Sequence, residues 1–221
     1  MAALATGFAD SPDLPYLRSA MALRVDALLE RLAVALSAHN PSTHEWSFGL
    51  SNGYQRAGVL VPLILDGGTL DLLFTKRTEQ VETHKGQISF PGGAVDRTDR
   101  DIVHTAVREA EEELGIPETA VQLLGLLESL STPTGFVITP VVGVLRGLPS
   151  LCPNSHEVAE VFTVPLEFFR DERNARREIW MVEGREQEVW FYTWGGHVIW
   201  GATAIILRSL LRVIALLPGE V

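Results

Sequence analysis

Four glutamates fall within five consecutive positions of the stretch Arg108-Glu109-Ala110-Glu111-Glu112-Glu113-Leu114-Gly115-Ile116. This stretch closes a longer segment, residues 102–114, in which apolar residues recur every three or four positions, as they do along one face of an α-helix. Asp101 is suited to begin the helix as its N-cap, and Gly115 is suited to end it. The sequence therefore predicts an amphipathic helix with an acidic face.

Three of these glutamates are expected to converge. Glu109, Glu112 and Glu113 are three and four positions apart, which places their carboxylates on one side of the helix, whereas Glu111 points elsewhere into solvent. Like charges at this spacing destabilise an isolated helix by about 0.2–0.5 kcal/mol per pair. A bound divalent cation would relieve that repulsion, and ligands that are all oxygen favour Mg²⁺ or Mn²⁺. The alternative is an acidic face that is simply solvated.

Segments with the composition of β-strands lie on both sides of the acidic helix. Residues 57–65 form a dense apolar run, and the turn residues at 66–68 predict a hairpin into residues 70–75. Further β-branched and aromatic runs separated by Gly and Pro follow at 121–129, 137–146, 158–164 and 189–192. The pattern predicts an α/β (α+β) fold in which helices sandwich a mixed sheet in one domain.

The two ends of the chain differ from this central region. Residues 1–20 show little periodicity and are predicted to be an N-terminal extension with the composition of a flexible segment, while 21–55 hold a helix and a polar connection. Residues 56–217 form the predicted main domain. Its last segment, 202–217, contains two arginines and is shorter than the roughly 20 apolar residues of a membrane span. We interpret it as a helix that faces the core or a second subunit, which is compatible with a homodimer.

Composition narrows the class of partner. Eighteen Lys and Arg against 28 Asp and Glu give a formal charge of −10, which disfavours binding to a nucleic-acid backbone. A single cysteine, Cys152, can form no internal disulfide, which is typical of a reducing compartment. The first ten residues lack the features of a secretory signal. We therefore expect a cytoplasmic protein with a small-molecule substrate and no nucleic-acid or membrane partner.

Together with two upstream glycines, Gly92 and Gly93, the acidic helix resembles the signature of the Nudix hydrolases. That signature is Gly, five residues, Glu, seven residues, Arg-Glu, an apolar residue, any residue, Glu-Glu, any residue, Gly and an apolar residue. The second half matches at every defined position. The first half departs from it, because Asp99 replaces the expected Glu and eight residues separate Asp99 from Arg108. The family resemblance implies a Nudix-type α/β/α sandwich.

The irregular spacing looks like the coenzyme A pyrophosphatase branch of this family. Two flanking stretches carry the same resemblance, Leu73-Phe74-Thr75-Lys76-Arg77-Thr78 and Gly86-Gln87-Ile88-Ser89-Phe90-Pro91-Gly92-Gly93. One departure is Glu82, which stands where the branch usually has Arg. The branch resemblance implies metal-dependent cleavage of the diphosphate of coenzyme A, or of its derivatives, to 3′-phosphoadenosine 5′-phosphate and 4′-phosphopantetheine.

The resemblance also implies roles for individual residues. Glu109 and Glu113 are expected to be the principal metal ligands, Glu112 a further or water-mediated ligand, and the Gly93 carbonyl a contributor. Arg108 is expected to hold the glutamates in place by charge-assisted hydrogen bonds. Its alternative is a surface pair with Glu112.

The general base and the phosphate-binding residues stay open. The base is one of the helix glutamates, Glu109, Glu112 or Glu113, or an acid from a later loop, for which Glu157 and Glu160 are the candidates. Lys76, Arg77 and Lys85 precede the glycines and are candidates to receive a phosphate group; their alternative is a set of isolated solvated cations.

Two other functions compete with this interpretation. The first is a Nudix hydrolase of another nucleoside diphosphate derivative, such as a dinucleotide or a nucleotide sugar. The second is a non-catalytic module that senses nucleotides. Such a module is expected to have lost at least one of the three glutamates on the acidic face, and this chain retains all of them.

Overall fold

The computed structural model describes residues 14–38, 53–79, 85–182 and 184–217, with side chains from residue 23 onward. In chain order the helices and strands are α1 (Leu14–Ala38), β1 (Gln55–Asp66), β2 (Thr69–Arg77), β3 (Ile88–Ser89), β4 (Gly92–Ala94), α2 (Ile102–Leu114), β5 (Gln122–Leu126), β6 (Leu130–Ser131), β7 (Phe136–Arg146), β8 (Val158–Pro165), α3 (Leu166–Arg170), β9 (Ala175–Val182), β10 (Arg185–Trp194), β11 (His197–Ile199) and α4 (Gly201–Ala215).

The larger of two sheets is mixed. Its order is β3-β2-β1-β7-β5, with β4 beside β1, β6 beside β7 and β8 beside β2. The long central pair, β1 and β7, is parallel, and the other pairs are antiparallel. The predicted hairpin is confirmed, because Asp66 pairs with Thr69 at the turn between β1 and β2. The α+β fold with a mixed sheet is therefore confirmed.

Helix α2 covers one face of this sheet. Its buried residues Ala106 and Ala110 pack against Leu60 of β1 and Val141 of β7. The approach is close because β1 carries a glycine at the contact, Gly58. A Cβ atom there would lie 2.7 Å from the carbonyl oxygen of Ile102, so any larger residue would push the helix away from the sheet.

The opposite face carries the main hydrophobic core. Helices α1 and α4 pack there, through residues such as Leu32, Leu36, Leu207 and Leu210, which are almost fully buried. The C-terminal helix thus covers the core of its own chain. Helix α1 begins at Leu14, ahead of the start at Met21 that the sequence predicts. A proline is tolerated in the first turn of a helix, where its missing N–H has no partner to lose, so Pro15 does not delay the helix.

A second sheet, in the order β11-β10-β9, lies beside the main core. Its strand β10 contributes the buried Tyr192, and β11 contributes the buried Ile199. The sequence predicts only residues 189–192 of this sheet as a strand. Within the described ranges, none of the helices combines the length and the apolar character that crossing a membrane requires.

Candidate active site

Both ends of the acidic helix have the predicted caps. The side chain of Asp101 accepts a hydrogen bond from the amide of His104 at 2.7 Å. At the other end Gly115 adopts a left-handed conformation, with φ at 71°, and its amide donates to the carbonyl of Glu111 at 2.8 Å. These caps fix where the helix starts and stops, and hence which way its glutamates point.

Two glycines bring strand β4 against the acidic helix. A Cβ atom on Gly93 would lie 2.4 Å from the carboxyl carbon of Glu109, so only glycine leaves room for that carboxylate. A Cβ atom on Gly92 would lie 2.5 Å from the carbonyl oxygen of Gly58 on strand β1. The glycine pair is therefore required for the backbone of β4 to lie directly beside Glu109.

Glu113 is the most deeply buried carboxylate of the acidic face, with 3% of its surface exposed. Burial raises the pKa of Glu113 to about 8; the Arg77 guanidinium opposes that shift, and the charges of Glu109 and Glu157 add to it. The Nη1 atom of Arg77 lies 3.8 Å from the Glu113 carboxylate. One arginine at this distance does not offset the loss of solvent around Glu113.

Glu109 is less buried than Glu113, and its pKa is raised as well. Burial raises the pKa of Glu109, Arg108 lowers it, and the charges of Glu112 and Glu157 raise it further. Glu157 thus acts on both buried helix carboxylates. We call Glu109, Glu113 and Glu157 the acidic cluster.

Arg108 is held by a buried carboxylate that precedes the helix. Its Nε donates to Asp99 Oδ1 at 2.8 Å, and its Nη2 donates to Asp99 Oδ2 at 3.0 Å. Its third nitrogen, Nη1, donates to Glu109 and to Glu112, both at 2.9 Å. The predicted positioning of the glutamates by Arg108 is therefore present, and the pair with Glu112 is one part of it.

Asp99 collects hydrogen bonds from several neighbours besides Arg108. The Thr105 hydroxyl, the Asp96 amide and His104 Nδ1 lie 2.8, 2.8 and 2.9 Å from its oxygens. Burial alone would raise the pKa of Asp99, but the hydrogen bonds from Arg108 and then from Asp96, Thr105 and His104 outweigh it and hold the pKa well below the usual range. The sequence marks Asp99 only as a departure from the Nudix spacing. Its position where the signature has Glu was the available signal for this anchoring role.

Glu112 shares an arginine nitrogen with Glu109 but, unlike Glu113, is not buried. Its side chain is 58% exposed and turns outward to Arg108, and Glu111 is exposed, as expected. Among the residues that the structure describes, no three His, Cys, Asp or Glu side chains are placed to hold a metal ion as they stand. The three carboxylates of Glu109, Glu112 and Glu113 therefore do not meet at one point, contrary to the expectation, because Arg108 holds Glu109 and Glu112 whereas Glu113 faces Arg77.

A loop anchored on the end of α2 brings in Glu157 instead. The amides of Cys152 and Asn154 donate to the carbonyls of Leu114 and Glu113, each at 2.8 Å, so the loop satisfies the carbonyl groups that the helix end leaves unpaired. The Asn154 side-chain amide then donates to Glu157 Oε1 at 3.1 Å. The other loop candidate, Glu160, is half exposed.

Glu160 belongs to a different surface. Its carboxylate lies 3.2 Å from Nε2 of His197, on strand β11. The residue that faces it across the β2–β8 pair is Lys76. Partners across a strand pair lie on the same face, so Lys76 lies with Glu160, whereas Arg77, after an irregularity in the pairing, reaches Glu113.

The three cations expected to receive phosphate are therefore not one group. Arg77 lies at the acidic cluster and Lys76 does not. Lys85 is exposed at the edge of a described range. Glu82, whose charge bears on the same question, lies outside the described residues.

The acidic cluster has donors that suit a hard divalent cation. All three side chains offer carboxylate oxygens, and two of them are held in a buried setting. Glu157 raises the pKa of both Glu109 and Glu113, and Glu109 raises that of Glu113. A cation between them would remove that repulsion, and oxygen-only ligands are those that Mg²⁺ and Mn²⁺ prefer. The residues present therefore fit such an ion.

Comparison with known proteins identifies the family of this chain. The NUDIX domain family matches residues 54–179. An uncharacterized Nudix hydrolase named NudL from Photorhabdus laumondii is 40% identical over 163 residues, which cover 74% of this chain and 87% of the relative. The NudL protein of Pectobacterium atrosepticum is 43% identical over 157 residues, or 71% and 81% of the two chains. The family match and these relatives place the chain in the Nudix hydrolase family.

Proposed function

We propose that this protein is a Mg²⁺- or Mn²⁺-dependent hydrolase that cleaves the diphosphate of coenzyme A or of its derivatives to 3′-phosphoadenosine 5′-phosphate and 4′-phosphopantetheine. The observation that carries the proposal is the buried Glu113, whose pKa is raised to about 8 beside Glu109 and Glu157. A buried carboxylate among like charges is unfavourable unless a cation joins it. Nudix hydrolases generally use divalent metal ions.

The proposed metal ligands come from the acidic helix and from strand β4. Glu109 and Glu113 are the principal ligands, Glu112 is a further or water-mediated ligand, and the carbonyl of Gly93, a residue that lies against Glu109, is an additional oxygen donor. When bound, the divalent cation polarises the phosphoryl oxygens and lowers the pKa of water. Arg108 keeps Glu109 in place because Asp99 fixes two of its nitrogens.

Glu157 is the residue that we propose as the general base. In hydrolysis a water oxygen attacks one phosphorus, the bond from that phosphorus to the bridging oxygen breaks, and the proton of the water passes to the base. Glu157 is held by Asn154 and lies close enough to Glu109 and Glu113 to shift the pKa of both. Glu109 and Glu112 are engaged by Arg108, which leaves them less suited to accept a proton.

The choice of coenzyme A rests on the resemblance of residues 73–78 and 86–93 to the coenzyme A pyrophosphatase branch. Arg77 is the phosphate-binding candidate that lies at the acidic cluster. Another nucleoside diphosphate derivative, a dinucleotide or a nucleotide sugar, is the second candidate, favoured by the acidic Glu82 where the branch has Arg. We also propose a cytoplasmic location, on the strength of the single cysteine.

Product analysis by mass tests reaction and substrate together. The protein is incubated with Mg²⁺ or Mn²⁺ and either coenzyme A, a dinucleotide or a nucleotide sugar, with a chelator in parallel. We expect the two coenzyme A fragments, formed only without chelator. Faster cleavage of another diphosphate would assign the second candidate. No cleavage of any substrate in the panel would contradict the enzyme and favour the nucleotide-sensing module.

A further inference from the structure

We propose that Arg77 changes partner when the site fills: it lies against Glu113 before a divalent cation binds, and it then binds the diphosphate of the substrate. The inference rests on the proposed function and deepens it by assigning an order to binding, with the cation first and the diphosphate second. It is carried by the contrast between two arginines at the same site, Arg77 and Arg108.

Arg108 is committed to its neighbours. Each of its three side-chain nitrogens donates a hydrogen bond, and its partners include the carbonyl oxygen of Ala94 as well as Asp99 and two glutamates. Movement of Arg108 would leave the buried carboxylate of Asp99 without its main partner, and leaving a buried charge unpaired is strongly unfavourable. Arg108 is therefore a fixed part of the site.

Arg77 is held far more weakly. Its closest ionic contact is the 3.8 Å approach to Glu113, beyond the usual length of a hydrogen bond. Within the described residues its Nε is buried and has no hydrogen-bond partner. A buried donor without a partner is rare and unfavourable, so the observed arrangement leaves Arg77 able to accept a new ligand. Its side chain is 24% exposed, so the guanidinium is within reach of one.

The backbone around Arg77 is fixed, so any change of partner involves the side chain alone. The Arg77 amide donates to the carbonyl of Gln87 at 3.0 Å, and the next amide, of Thr78, donates to the carbonyl of Glu157 at 2.9 Å. Arg77 is also in register with Val158 at the start of β8. Strand β2 thus holds the backbone of Arg77 beside both Glu113 and Glu157.

Charge balance then sets the order of binding. Before a cation binds, Arg77 is the positive group that faces Glu113. A divalent cation at the acidic cluster supplies that charge more completely, and it also repels the guanidinium. The freed guanidinium has a planar fork of donors that matches two phosphate oxygens. A diphosphate that arrives first would instead meet a net negative cluster.

The test is a pair of binding measurements on Arg77→Gln that need no turnover. The first is Mn²⁺ binding to the protein alone, by titration calorimetry. The second is binding of methylene diphosphonate, a diphosphate that resists hydrolysis, to the Mn²⁺-saturated protein. Arg77→Lys is the conservative variant. Arg146→Gln is the matched control, because Arg146 pairs with Asp26 at 3.1 Å on the surface.

Removal of the competing charge should strengthen Mn²⁺ binding to Arg77→Gln several-fold and weaken diphosphonate binding about tenfold or more. Arg77→Lys keeps the charge but loses the fork, so Mn²⁺ binding should stay near wild type while diphosphonate binding falls by a smaller factor. Arg146→Gln should change neither. Melting temperatures identify any variant that fails to fold, and Arg77→Lys then carries the test.

Weaker binding of both ligands to Arg77→Gln would overturn the exchange, because it would make Arg77 a structural support of the cluster. Unchanged Mn²⁺ binding would overturn it too. These results differ from failure of the proposed function, which would appear as wild-type protein that binds Mn²⁺ and diphosphonate yet hydrolyses no diphosphate. In that case the opposite shifts in Arg77→Gln would still support the exchange.

Discussion

Arg108 meets Asp99 through two parallel hydrogen bonds, Nε to Oδ1 at 2.8 Å and Nη2 to Oδ2 at 3.0 Å. The side chain of Asp99 is fully buried, and that of Arg108 is mostly so. A two-point contact of this kind fixes the plane of the guanidinium as well as its distance. The third nitrogen is thereby aimed at Glu109 and Glu112, so a residue outside the acidic helix sets the geometry of its carboxylates.

Asp99→Asn should therefore lower turnover without touching a proposed ligand. We expect kcat to fall about 10- to 100-fold, the range found when a partner behind a metal ligand is removed. Asp171→Asn is the matched control, because Asp171 also accepts hydrogen bonds from an arginine, Arg173, but at the surface. Steady-state kinetics at saturating Mn²⁺ checks the prediction. Equal rates for Asp99→Asn and wild type would show that Arg108 needs no anchor.

The same contact predicts how acid affects the fold. The pKa of Asp99 is lower in the folded protein than the value of about 3.9 in an unfolded chain, so its stabilisation is present above about pH 4 and is lost as the pH falls further. Denaturant unfolding between pH 5 and pH 2 measures this. The loss of unfolding free energy should be smaller in Asp99→Asn, which has no carboxylate to protonate. Parallel curves for the two proteins would contradict the assignment.

The raised pKa of Glu113 predicts that its contribution to stability depends on pH in the direction opposite to that of Asp99. Its pKa is raised to about 8, so the unfolded chain gives up this proton more readily than the folded protein does. With a chelator present, stability should therefore fall as the pH rises from about 4.5 to about 8, by an amount on the order of a few kcal/mol. Glu113→Gln should remove that fall. Thermal melts across this range test it.

Divalent cations should offset this loss of stability at high pH in the wild-type protein but not in Glu113→Gln. Mn²⁺ should raise the melting temperature of wild type at pH 8, since a ligand of the folded state stabilises it by mass action, and Glu113→Gln should respond weakly and lose most turnover. Glu111→Gln is the control on the same helix, because that side chain is exposed. A Glu113→Gln variant with a wild-type rate would exclude Glu113 as a ligand.

Glu157 and Glu160 offer a direct comparison for the general base. Glu157→Gln should reduce kcat about 10²- to 10⁴-fold, which is the typical contribution of acid–base catalysis. Glu160→Gln should leave kcat close to wild type, because Glu160 contacts His197 and lies apart from the acidic cluster. Both substitutions keep the side-chain volume. Similar losses in the two variants would contradict the choice between them.

Local sequence signals predict much of this molecule. Helix α2, its caps and the β1–β2 hairpin are confirmed because spacing, an N-cap and turn glycines act over a few residues. The glycine pair is visible in the sequence as part of the family signature, but its close contact with Glu109 is seen only in the structure. What lies within one turn or one hairpin is thus accessible without the structure.

Contacts between distant segments are not accessible in this way. Helical spacing places three carboxylates on one side of α2, but it does not reveal that Arg108 turns Glu112 outward. Adjacent residues Lys76 and Arg77 look equivalent in sequence, but in the structure Lys76 pairs with Glu160 whereas Arg77 reaches Glu113. The same pairing, with the loop anchored on α2, decides that Glu157 lies at the cluster.

The most direct test of the account is to locate Mn²⁺ by its anomalous scattering in crystals of the wild-type protein. The account predicts a peak bounded by the carboxylates of Glu109 and Glu113, beside the Gly93 carbonyl, and no such peak in Glu113→Gln crystals. Ions bound only elsewhere on the surface, with Glu109 and Glu113 bare at saturating Mn²⁺, would contradict it.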